Sequence, residues 1–205
     1  MEKEFNEQDS LRIINEMINQ AKNNFKRSSS TLVLFWGYLV SLIAIANFVL
    51  LRALDNPVQS FWVWSATAVG WVVSFFIQRN IDRTAIVKTH IDAIIKYIWL
   101  GFGISMTVLL VIFWTLRLEH NAQFVYLTPL SMIMSGLAQF ATAIACRYKP
   151  YYWGAVVFWL GAIACMISVH VFKAIDYQFL LLALTMIIGF IIPNHILNKK
   201  HSRHV

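Results

Sequence analysis

The side chains with chemistry inside the apolar stretches of this chain are neutral ones: Asn47, Ser105, Thr107, Ser135 and Gln139, with His170 and His195 at stretch ends. Such residues either line a path for a small neutral or weakly polar solute or bond helices together, at about 0.6–2 kcal/mol each. Both roles stay open for them. His201 and His204, three apart, would hold a transition metal only with a third donor such as His195. Lys199, Lys200 and Arg203 repel a cation there and no acid is near, so no metal is expected. Cys146 and Cys165 both fall in apolar stretches without CxxC spacing, which argues against a disulfide framework and a zinc site. HExxH, Walker A and paired-carboxylate patterns do not occur, so no catalytic residue and no cofactor is expected.

The elements that carry these residues follow from composition. Of 205 residues, 59% are hydrophobic and 13% charged, against about 45–50% and about 25% in soluble domains. A water-soluble globule of this length would lack polar cover. Apolar windows broken by charge give six expected spans: 31–51, 60–78, 97–116, 124–146, 151–172 and 179–197. No Lys, Arg, Asp or Glu lies inside any of them, which makes insertion easy, since one such residue at mid-bilayer costs about 2.5–3.5 kcal/mol. The expected fold is all-α: a polytopic membrane protein with six transmembrane helices as three hairpins, preceded by an N-terminal amphipathic cytoplasmic helix. Residues 1–30 form that helix, 31–197 the transmembrane domain and 198–205 a basic cytoplasmic tail. Five acids among the first thirty residues exclude a cleavable signal peptide, so the first span reads as an uncleaved anchor.

The formal charge of +7 suggests nucleic acid until the charges are placed. Fourteen basic residues fall in the N-terminal segment, the second and fourth connections and the tail, while Arg52, Arg117 and Lys173 stand alone in the others. The positive-inside rule therefore puts both termini in the cytoplasm. Nucleic acid drops out as a partner. Arg147, Lys149, Lys199, Lys200 and Arg203 instead form a surface for anionic lipid headgroups.

Two stripes lie on that basic side. Leu11, Ile14, Ile18, Ala21 and Phe25 recur at alternating steps of three and four, and Val87, Ile91, Ile94 and Ile98 repeat the pattern ahead of the third span. The stripes either pack on each other or the lipid interface, or offer a docking face for a cytosolic partner or a second copy of the chain. Small residues crowd the fourth span, which is expected to be the most enclosed. Pro193 lacks a backbone N–H and should free the carbonyl of Gly189 in the last span.

Two family resemblances bear on activity. Rhomboid-type intramembrane proteases also have six spans, with a serine on the fourth and a histidine on the sixth. Here the fourth span reads Ile133-Met134-Ser135-Gly136, without the first glycine of their GxSG motif. Ser135 and His195 also differ in depth by about five residues, roughly 7 Å, too far for a nucleophile to reach its base. The layout of Phe35-Trp36-Gly37, the run into Trp99 and the closing Ile191-Ile192-Pro193-Asn194-His195-Ile196-Leu197 resembles an uncharacterised family of bacterial six-span inner-membrane proteins. That resemblance implies topology and bacterial origin and supplies no activity; Asn194 stands where the family pattern has glycine. The resulting expectation is a non-enzymatic regulatory or interaction component acting through its cytoplasmic face, with a small-solute channel or facilitator as the alternative and an intramembrane protease as a remote one.

Overall fold

The computed structural model describes residues 7–84, 90–116 and 125–201. Helix α1 runs without a break over Glu7–Ala53. No glycine or proline occurs between Glu7 and Trp36, so nothing in the backbone interrupts the ladder where the polar arm meets the apolar span. At 1.5 Å per residue the helix is about 70 Å long, more than twice the roughly 30 Å of a bilayer core. Residues 11–25 thus lie on the same continuous helix as the first span.

Asp55-Asn56-Pro57 ends α1's chain direction, and Pro57–Ser65 forms a 3₁₀ segment that passes into α2, Ala66–Thr84. Thr67 Oγ1 donates to the Trp64 carbonyl at 2.6 Å at that junction. Next come α3, His90–Leu116, which starts well ahead of the expected third span, and α4, Leu127–Cys146. Arg147 then takes a left-handed conformation at φ 50°, and the backbone N–H groups of Arg147 and Tyr148 close onto the Ile144 and Ala143 carbonyls. Pro150, in the first turn of α5 (Lys149–His170), costs no hydrogen bond there. The last span comprises α6, Tyr177–Met186, a π segment, Ile187–Ile191, and α7, Ile192–His201.

Six helical stretches are long and apolar enough to cross a membrane: Thr31–Ala53, Gln59–Ile81, His90–Phe113, Leu127–Cys146, Lys149–His170 and Tyr177–Leu197. No strand occurs among the described residues. The last three spans form the enclosed centre, each 44% buried, whereas the second and third are only 11% buried. The fourth span therefore shares its enclosure equally with the fifth and sixth. Ala44, Met132, Phe158, Ala162, Cys165, Leu182, Ala183 and Phe190 make the core, a cluster without charged side chains. The closest helix pairing is α4 on α5, made possible by Gly136, whose missing side chain leaves room for the Trp159 ring and the Ala155 carbonyl.

Candidate functional site

The polar residues of the spans do not converge on one place. Asn47, Ser135 and Gln139 are buried, at 0%, 4% and 2% exposure, while Ser105 and Thr107 are exposed on α3. Thr107 Oγ1 donates to Gly103 O at 2.9 Å, and Ser135 Oγ to Ser131 O at 2.8 Å, each within its own helix. The two buried amides sit on different helices: Asn47 is near the end of α1 that leads into the 3₁₀ segment, whereas Gln139 lies in the half of α4 that ends at Cys146. Ser135 and His195 are likewise not brought together, since His195 Nε2 lies 2.7 Å from Tyr38 Oη.

What the fold does assemble is a set of polar contacts around the π segment. Proline at position 193 offers no N–H to the carbonyl four residues back, and its ring crowds that carbonyl. The helix widens just before it: the Ile192 N–H reaches the carbonyl of Ile187, five residues away, a geometry frequent at functional sites. Side chains bond carbonyls in and just after this segment, the one freed by Pro193 among them. Gln139 Nε2 donates to Gly189 O at 2.5 Å, Asn194 Nδ2 to Phe190 O at 2.7 Å, and Tyr148 Oη to Pro193 O at 3.3 Å. Tyr151 Oη then donates to Asn194 Oδ1 at 2.7 Å, fixing the orientation of that fully buried amide. Burial raises the pKa of the Tyr148 phenol, which favours its protonated, donating form.

Two glycines allow the approach. A side chain at Gly154 on α5 would run into the Gln139 amide and the Gly189 carbonyl, and one at Gly37 on α1 would meet Ile191 Cγ1 at 2.9 Å. Helices α1, α4 and α5 thus close on the widened turn from three sides. The cluster consists of hydroxyls and amides bonded to backbone carbonyls and, for Tyr151 and Asn194, to each other. Among the described residues no group of three His, Cys, Asp or Glu side chains is placed to hold a metal ion; His204 and Arg203 lie outside them.

Among the described residues, the buried side-chain atoms without a hydrogen-bond partner are both polar atoms of Asn47, Gln139 Oε1, Gln178 Oε1, Trp99 Nε1 and Ser74 Oγ. At the opposite end of the bundle Arg52 bridges to Asp176 at 2.6 Å, with its guanidinium over the Phe48 ring at 4.2 Å and the Tyr177 ring at 4.9 Å.

The expected interaction residues divide between helices. Leu11, Ile14, Ile18, Ala21 and Phe25 lie along the first half of α1, with their side chains outside the described set, as is all of Val87. Ile91 and Ile94 open α3 and are 42% and 40% exposed. Arg147 and Lys149 are exposed at the α4–α5 turn; the side chains of Lys199 and Lys200 lie outside the described set. Tyr148, Tyr151, Asn194 and Gly154 carry the π-segment cluster yet were not singled out by sequence as a site. The legible signals were Pro193, with its freed carbonyl, and a Tyr-x-x-Tyr pair at the start of the fifth span.

Compared with known protein families, curated proteins and solved structures, the chain matches none.

Proposed function

We propose that the protein is a non-enzymatic interaction component of a membrane, with both termini and the basic connections in the cytoplasm of a bacterium. The observation that carries the reading is the unbroken α1 helix. Its first 24 residues, 7–30, extend the first span by about 36 Å at 1.5 Å per residue, as an amphipathic helical arm. A rod of this kind holds the Leu11–Phe25 stripe away from the bilayer, where a cytosolic protein or a second copy of the chain can meet it. Exposed Ile91 and Ile94 add apolar surface at the start of α3.

The six spans are read as three hairpins. Leu39 and Trp36 against Gly70 support the first, although the packing of α4 on α5 crosses hairpin boundaries. A solute path is the weaker reading, because Ser105 and Thr107 face outward and Phe158, Met132 and Cys165 fill the centre. The anionic lipid surface remains part of the proposal through Arg147 and Lys149. Cross-linking in intact membranes tests the reading: Ile14→Asp with Ile18→Asp is expected to remove a cross-linked species that wild type forms, and an unchanged pattern would count against it.

A further inference from the structure

Seven of the eight glycines have a neighbour within 4 Å of where a side chain would begin; Gly101 has nothing there. It lies instead on the wall of a groove of about 280 Å³ between α3 and α4. Ile98, Gly101 and Ser105 form one side of that groove, and Leu137, Ala138 and Ala141 much of the other. The α3 wall continues the Ile91–Ile94–Ile98 stripe at steps of three and four, so the apolar strip runs into the groove from the basic end. A glycine in a helix costs about 1 kcal/mol relative to alanine. No neighbour among the described residues explains this one.

We propose that the groove is a binding site for one acyl chain of an anionic phospholipid, with the headgroup phosphate held by Arg147 and Lys149. The occupant follows from depth and charge. Both walls belong to candidate membrane spans, and the lining is almost wholly apolar. From Ala141 to the end of α4 at Arg147 is about 9 Å at 1.5 Å per residue, which leaves the glycerol level between the groove and the first cation. Arg147 and Lys149 are both exposed there; Asp92, which α3 brings to the same end, is the acid that partly offsets them. The left-handed Arg147 ends α4. This site rests on the anionic-lipid reading of Arg147 and Lys149 given above and is independent of the α1 arm.

Native mass spectrometry of the full chain in mild detergent provides the test, with phosphatidylglycerol and phosphatidylcholine supplied at equal concentration. One phosphatidylglycerol per chain is expected to be retained in preference. Arg147→Gln with Lys149→Gln should reduce that preference roughly 25-fold, about fivefold for each basic residue. Gly101→Phe, and Ala141→Leu from the other wall, should abolish retention of either lipid while circular dichroism confirms an intact helical fold. Equal retention of the two lipids by wild type overturns the proposal, as does an unchanged adduct in both groove-filling variants. Displacement of the lipid by inorganic phosphate would assign the cations to a free anion instead. A lipid-free dimer that Gly101→Phe reduces to a monomer would give the groove to a second copy.

Discussion

Gln139 on α4 donates its side-chain Nε2 to the carbonyl oxygen of Gly189 in the π segment, the very carbonyl that Pro193 cannot serve. One residue thereby supplies, from another helix, the hydrogen bond that the last span lacks. In a bilayer this matters more than in water, because no solvent is at hand to take the backbone oxygen.

Replacing Gln139 with Leu is therefore expected to lower the thermal unfolding midpoint of the purified protein. The loss of a partner for a buried carbonyl costs about 1–3 kcal/mol. Because Gln139 Oε1 is itself unpartnered, its removal offsets part of that cost and places the effect toward the lower end. A midpoint equal to wild type would mean that the carbonyl has another partner.

Glycine substitutions separate close approach from open surface. Gly154→Ala pushes a methyl into the Gln139 amide and the Gly189 carbonyl, and overpacking of this kind costs about 1–3 kcal/mol. Gly101→Ala meets nothing and should stabilise by up to about 1 kcal/mol through helix propensity. Midpoints measured side by side should move in opposite directions. A Gly154→Ala midpoint no lower than wild type would contradict the close packing there, and a fall in Gly101→Ala would contradict the open space at Gly101.

Asn47 predicts an unusual sign. Its amide is fully buried with neither polar atom bonded, so Asn47→Leu, similar in shape, removes a desolvation cost of about 1–3 kcal/mol. The variant should unfold at a higher temperature than wild type. A lowered midpoint would show that the amide has a partner worth keeping, and would revive a polar role for this position.

The Arg52–Asp176 bridge at the other end is half exposed, with side-chain accessibilities of 48% and 26%. Asp176→Asn should have a small effect that shrinks further at high salt, as screening predicts. Arg52→Lys should cost more than the loss of charge geometry alone, because the planar guanidinium also lies on Phe48 and Tyr177. Unfolding midpoints at low and high salt check both statements.

These residues also show how far sequence reaches in such a protein. Six spans were legible because charge is excluded from bilayer depth, and the freed Gly189 carbonyl was legible because proline's missing donor is a covalent fact. Which way Ser105 and Thr107 point was not. A span apolar all round has no polar face to set its rotation, so only packing decides that Gly103 meets Trp71 while Ser105 stays outside. The bond between Asn194 and Tyr151 is not legible for a similar reason: 43 residues separate them, and nothing local marks it. The 3₁₀ segment at Pro57–Ser65 has the same hydropathy as an α-helical span and leaves no separate mark in the pattern. The continuity of α1 could be anticipated from the absence of glycine and proline before Gly37, yet a change from polar to apolar composition reads equally as a boundary.

The central claim is that the arm preceding the first span engages a partner through its apolar stripe. The mass of the full-length protein, extracted in mild detergent and measured by light scattering with the detergent contribution subtracted, tests it most directly. The account predicts a wild-type mass above that of one 23.6 kDa chain, reduced to a single chain by Ile14→Asp with Ile18→Asp at unchanged helix content. A wild-type mass of one chain, unaltered by the double substitution, would contradict it.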